Sequence, residues 1–233
     1  MEQLISLLAN YDLRLGSKGA SHAEIDALER KCGRPFPLAY REFLNMCGTD
    51  PGELRIGGDA WTTIEALMGH YCDPLEMADT PDGAIVISTY GLCDPQMIVC
   101  DGSPEGGAVR TFACENPQNV SQSFRHLLFQ SGWARATVCR KGTIALTAIW
   151  PKQDVATIAS QLENMELQTL WFSDAFGIYS ERSEAWAVTS TCEGEVYVSL
   201  RASVPATERE ILNTLIVRLG PPRTHFYATN SRR

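Results

Sequence analysis

The chain has 233 residues, 44% hydrophobic and 21% charged, ordinary globular proportions that exclude a disordered or fibrous protein. Its 28 acidic residues against 20 basic ones leave a net charge of −8, which argues against direct nucleic-acid binding, a function that needs a positive surface. No stretch reaches the roughly 18 apolar residues of a membrane helix, and residues 1–10 lack the basic start of a secretory signal, so a soluble cytoplasmic protein is expected.

Leu4, Ile5, Leu7, Leu8 and Tyr11 recur at helical spacing and predict a short amphipathic helix over 2–12. Ser21-His22-Ala23-Glu24 is a capping box, opening a helix lined by Ile25, Leu28 and Cys32 and stopped by Gly33. Pro35-Phe36-Pro37 enforces an extended link, because a residue before proline is pushed out of helical geometry. Pro37 suits the first position of a third helix, with Tyr40, Phe43 and Leu44 as its apolar stripe and Gly48 at its end. Beyond Gly48 the pattern predicts a strand over 53–56, a helix over 62–71, strands over 84–89, 96–100 and 108–113, and a helix over 118–129. Ser131-Gly132 marks a boundary.

Past it, 136–150 is strand-rich, Asp154 caps a helix to about 165, and strands are expected over 167–172, 177–181, 186–191 and 196–202. Thr207 with Glu210 reads as a second capping box, opening a helix that Gly220-Pro221-Pro222 stops, and 224–233 as a loose tail. The fold class is α+β: helices packed on a mainly antiparallel sheet in residues 1–132, then a second, smaller α+β unit in 133–233 whose role stays open.

The eight cysteines contain no C-x-x-C pair, so they read as reduced, mostly buried thiols; nothing in the spacing of His70, Cys72 and Cys93 recommends a metal site. Gly102-Ser103-Pro104-Glu105-Gly106 is not a nucleophile elbow, and Gly106-Gly107 lacks the following Lys-Ser/Thr of a phosphate loop. His22, His70, His126 and His225 share no partner spacing, and Asp79 and Asp82 flank a Pro-Asp-Gly turn that explains them. No catalytic residue, cofactor or metal ligand is assigned.

At Ile25-x-x-Leu28-Glu29-x-x-x-Gly33-x-x-Phe36-Pro37-x-x-Tyr40-x-x-Phe43-Leu44, ending at Gly48, the chain resembles the signature of the SUKH superfamily. Its members include bacterial immunity proteins of polymorphic toxin systems and a fungal regulator of cell-wall synthesis. Later segments agree in order: 54–67 with the family's short strand and helix, 84–88 with its next strand, 96–101 with a strand ending in aspartate, and Ser121-x-x-Phe124-x-x-x-Leu128 with its closing helix. The likeness covers residues 20–130. It departs at Phe36, where the family usually has leucine, and at Met46-Cys47-Gly48-Thr49, where it has Asn-Gly-Gly. The resemblance implies a non-enzymatic fold that binds another protein, often a toxin domain with nuclease or other lethal activity.

Charge sharpens that implication. Between residues 42 and 109 stand twelve acids and one base, Arg55; residues 1–132 carry 18 acids and 9 bases, residues 133–233 carry 10 and 11. Such a run reads either as a solvated surface or as an anionic face that steers a basic partner and imitates the phosphates a nuclease expects. Trp61, Tyr71 and Tyr90 lie among the acids, where each reads either as a core residue or as an aromatic anchor. The expected partner-binding residues are therefore Glu53, Asp59, Trp61, Glu65, Tyr71, Asp73, Glu76, Asp79, Asp82, Tyr90, Asp94 and Asp101. The sequence leads to an immunity protein that occludes a cognate basic, nuclease-like protein toxin, with no nucleic acid, membrane or turnover involved. The alternatives are an intracellular scaffold or regulatory adaptor acting on a non-toxin partner, and an enzyme with its site in the second unit.

Overall fold

A computed structural model of the chain describes residues 2–10, 15–54, 56, 62–78, 80–89, 96–99, 103–111, 118–139, 144–151, 153–192 and 195–229. Helix α1 (Glu2–Ala9), strand β1 (Leu15–Lys18), helices α2 (His22–Cys32) and α3 (Leu38–Cys47) and strand β2 (Asp50–Gly52) come first. The capping box forms: Ser21 Oγ accepts from Glu24 N at 3.3 Å, and Glu24 Oε2 accepts from Ser21 N at 2.8 Å. Pro37 is the N-cap of α3, one residue outside its expected place, and Gly48 N closes the helix on Leu44 O. The strand expected at 53–56 lies earlier, because Asp50 and Gly52 pair antiparallel with Lys18 and Leu15 of β1. Leu54 and Ile56 are buried all the same, so their apolar signal marks core, not strand.

Next come α4 (Ile64–Cys72), α5 (Pro74–Ala78), β3 (Ala84–Ser88), β4 (Gln96–Val99), β5 (Val109–Thr111), β6 (Gln118–Ser121) and α6 (Phe124–Cys139). The four strands form an antiparallel sheet in sequential order. Here 118–121 corrects the expected helix, since Ser121, Asn119 and Gln118 pair with Val109, Arg110 and Thr111, and helical geometry begins only at Phe124. The expected break at Ser131-Gly132 is helix as well. A Cβ on Gly132 would lie 3.0 Å from Leu8 Cδ2 and 3.2 Å from Leu4 Cδ1, so this glycine admits α1 rather than ending α6. Aromatic contacts join α3 to the start of α6: the Tyr40 and Phe124 rings are 5.0 Å apart at 73°, and Phe43 and Phe124 5.7 Å apart at 71°, edge-to-face arrangements worth roughly 0.5–1.5 kcal/mol each beyond burial.

The chain divides into two compact units, Met1–Ala136 and Thr137–Arg233, four residues later than expected and inside α6. The second unit holds β7 (Ile144–Trp150), α7 (Val155–Glu163), β8 (Gln168–Thr169), β9 (Gly177–Arg182), β10 (Ala185–Cys192), β11 (Glu195–Ala202), α8 (Pro205–Leu219) and β12 (Thr224–Thr229). Its strands form one antiparallel sheet in the order β12-β7-β11-β10-β9-β8. Alternate residues of β11, namely Val196, Val198, Leu200 and Ala202, join Ile158, Leu162, Ile211 and Leu215 of α7 and α8 in a buried core. Asp154 caps α7 as expected, accepting from Thr157 N at 2.7 Å. Two expectations fail. Helix α8 begins at Pro205, whose fixed φ suits a first helical position, so Thr207 and Glu210 lie inside it and form no cap. Residues 224–229 of the supposedly loose tail are β12, paired with β7 over the strand's whole length, and 230–233 lie outside the described residues. With helices on antiparallel sheets in both units, the fold is α+β.

Candidate functional site

The acidic segment of the first unit centres on α4 and α5. Thr63 caps α4, accepting from Ala66 N at 3.4 Å, and Glu65 in its first turn faces the positive end of the helix dipole. Pro74 forces Asp73 out of helical geometry (φ −90°, ψ 115°), so α4 stops there. Asp73 then restarts the chain as α5, its Oδ1 accepting from Leu75 N at 2.9 Å and its carbonyl from Met77 N at 3.0 Å.

His70 locks the two helices together. Its Nδ1 is 3.3 Å from Glu76 Oε2 and its Nε2 3.2 Å from Thr80 Oγ1, which donates to Glu76 O at 3.0 Å. The ring packs edge-on against Tyr71 at 5.4 Å. Burial pushes the His70 pKa below its ordinary value, against the opposing pull of Glu76 and Asp73. On the outer side Glu65, Gly69 and Cys72 are exposed along one line of α4, which leads to Leu75, 79% exposed. Asp73, Glu76 and Asp82 are exposed around that leucine in sequence.

The structure therefore gathers Asp73 and Glu76 at the α4–α5 junction, with Glu65 about 12 Å away along the helix by its rise per residue. Glu53 is half-buried in the turn after β2. Asp59, Trp61, Asp79, Tyr90, Asp94 and Asp101 lie outside the described residues. Tyr71 needs correction as an anchor: it is 6% exposed, and its hydroxyl accepts from Val86 N at 2.8 Å. Strand β3 is an edge of its sheet, so that hydroxyl satisfies a backbone group the sheet leaves open. Leu75 was missed. The signal was Asp73-Pro74, which ends α4 and throws the next apolar residue off the helix's inner face.

Other acids of this unit are committed locally. Arg41 pairs with Asp26 at 2.8 Å and with Glu29, and Arg125 pairs with Glu105 at 3.0 Å. Ser123 Oγ lies 2.8 Å from His126 Nδ1, but it also accepts from His126 N at 3.2 Å while Ser123 O accepts from Leu127 N. That is a helix start, with Gln122 on the other ring nitrogen at 2.9 Å. Cys47 is buried, its thiol pushed up to about 12 by desolvation, Cys32 is half-buried and Cys72 is exposed, while Cys93, Cys100 and Cys114 lie outside the described residues. Among the described residues no group of three or more His, Cys, Asp or Glu is placed to hold a metal ion, and no helix is long and apolar enough to cross a membrane.

Residues 19–130 match the model of the SMI1 / KNR4 family (SUKH-1), the resemblance read from the Ile25–Gly48 pattern. No curated protein and no solved structure matches the chain. The match falls wholly within the first unit.

Proposed function

The chain carries a SUKH-1 domain over residues 19–130, and from that premise we propose that it is a cytoplasmic immunity protein that binds a basic, nuclease-like toxin and blocks it without turnover. The family includes immunity proteins, is generally non-catalytic and typically binds a toxin partner. One observation carries the specific reading. Up to Ala136 the chain has 18 acids and 10 bases, a net of −8; from Thr137 on it has 10 of each. All the excess negative charge thus belongs to the unit that contains the SUKH-1 domain. A basic partner gains association rate from such a field, and Leu75 supplies an apolar contact among the acids of α4 and α5.

Co-expression tests the proposal. The chain should rescue cells from a toxic product encoded beside it and co-purify with that product. Co-purification with a harmless partner and no rescue would favour the scaffold instead. Replacing Leu75 by Asp should weaken the complex without unfolding the chain, since that side chain is already in water.

A further inference from the structure

A groove lies elsewhere on the first unit, built by α1, α3, the turn 103–106 and α6. Ala39 N donates to Pro104 O at 3.0 Å, tying the start of α3 to the turn. Gly106, at φ 77°, lets the turn lie against α6, where a Cβ would stand 2.9 Å from Phe124 Cβ. Arg125 spans the groove, its Nη1 3.0 and 3.2 Å from the two Glu105 carboxylate oxygens and its Nη2 3.1 Å from Gln3 Oε1. Two depressions of about 490 and 240 Å³ share Glu42 and Arg125. Along α3 the lining residues are Leu38, Ala39, Glu42, Asn45 and Met46, a helical stripe distinct from the core stripe Tyr40, Phe43 and Leu44.

The chemistry of this lining selects its occupant. Leu38 is 57% exposed, beside the buried Leu128 and Phe129 that floor that end. One turn further along, the exposed Glu42 has no cationic partner among the described residues. Arg125 is matched by Glu105, so among the described residues the groove offers no free cation to a small anion. Resting on the protein-binding reading above, we propose that the groove receives a segment of the basic protein partner, one apolar side chain against Leu38, Leu128 and Phe129 and a lysine or arginine against Glu42. This is charge complementarity at a single carboxylate, next to apolar surface that a stripe of α3 leaves unfilled.

The test uses the full chain and a panel of short synthetic peptides that pair Lys or Arg with Leu or Phe at helical and extended spacings. Binding is followed by fluorescence and mapped by hydrogen exchange. The expected result is protection of 38–46, 103–106 and 125–129. Glu42→Lys and Leu38→Ser, both at exposed positions, should each weaken binding by about tenfold, and a Lys-to-Glu version of the binding peptide should recover affinity for Glu42→Lys. Glu210→Lys, at an exposed position of α8 in the second unit, should leave peptide affinity unchanged. Failure of every peptide to bind, protection elsewhere, or wild-type affinity for both groove variants would overturn the proposal. None of these readouts involves rescue, so the groove can fail while toxin neutralisation stands, and rescue can fail while the groove binds its peptide.

Discussion

Tyr71 and Tyr40 are both buried, yet their hydroxyls have opposite consequences. The Tyr71 hydroxyl accepts from Val86 N at the outer edge of β3, whereas the Tyr40 hydroxyl has no hydrogen-bond partner among the described residues. Desolvation pushes both phenols far above their ordinary pKa, so neither ionises. Tyr71→Phe strands a buried amide and should cost about 1–3 kcal/mol, while Tyr40→Phe removes an unsatisfied group and should be neutral or stabilising by up to ~1 kcal/mol. Urea unfolding of the two variants side by side checks this; equal losses would contradict it. His70 adds a pH dependence. Its folded pKa lies below 6.5 through burial, with Glu76, Asp73, Thr80 and Tyr71 around it. As the pH falls through 6.5 the unfolded chain takes up this proton first, so stability is lost until the folded pKa is also passed. Stability measured against pH should fall in that window for the wild type, and the fall should be smaller in His70→Gln.

At the scale of elements, the second unit depends on a strand that its own sequence does not announce. Thr224–Thr229 pairs with β7 from Ile144 to Ile149, while Arg223 N donates to Ile149 O at 2.8 Å and Trp150 Nε1 to Gly220 O at 2.9 Å. Ending the chain at Arg223 would bare the long apolar edge of β7, which is a template for intermolecular pairing. The truncated chain should unfold at a lower temperature and self-associate by light scattering; a monomer of unchanged melting temperature would show that β12 does not protect that edge. This pairing also marks the limit of what the sequence discloses. Signals closed within a few residues are legible: the Ser21–Glu24 box, the Asp154 cap, the alternation of β11. Strand β12 is not, because its partners lie 75 to 85 residues away by the chain numbering, and 118–121 carries no strand signal of its own because only pairing with β5 makes it a strand. The site divides the same way. Composition exposed the acidic segment, but the inward turn of Tyr71 depends on where β3 runs, and the exposure of Leu75 on how α4 restarts as α5.

Across the whole molecule, charge is distributed by unit, and the individual acids differ in what they do for the fold. Asp73 caps the start of α5 and Glu76 meets His70, so reversing either would disturb the junction as well as the field. Glu65 and Asp82 are exposed and form no ion pair or side-chain hydrogen bond among the described residues. They are therefore the acids whose reversal separates electrostatics from folding. Glu65→Lys with Asp82→Lys takes the first unit from −8 to −4, two units of charge at each position. Stability should fall by no more than about 1 kcal/mol, the loss coming from a lysine placed at the positive end of α4. Association with the partner recovered by co-expression should slow markedly at low salt, with dissociation nearly unchanged, because a long-range field acts on encounter rather than on the docked state. The difference should shrink as the screening length falls from about 10 Å at 0.1 M salt to about 3 Å at 1 M. Stopped-flow mixing across that salt range gives both rates. A deficit that persisted undiminished at high salt would make Glu65 and Asp82 direct contacts, and no deficit at any salt would remove electrostatic steering from the account of binding.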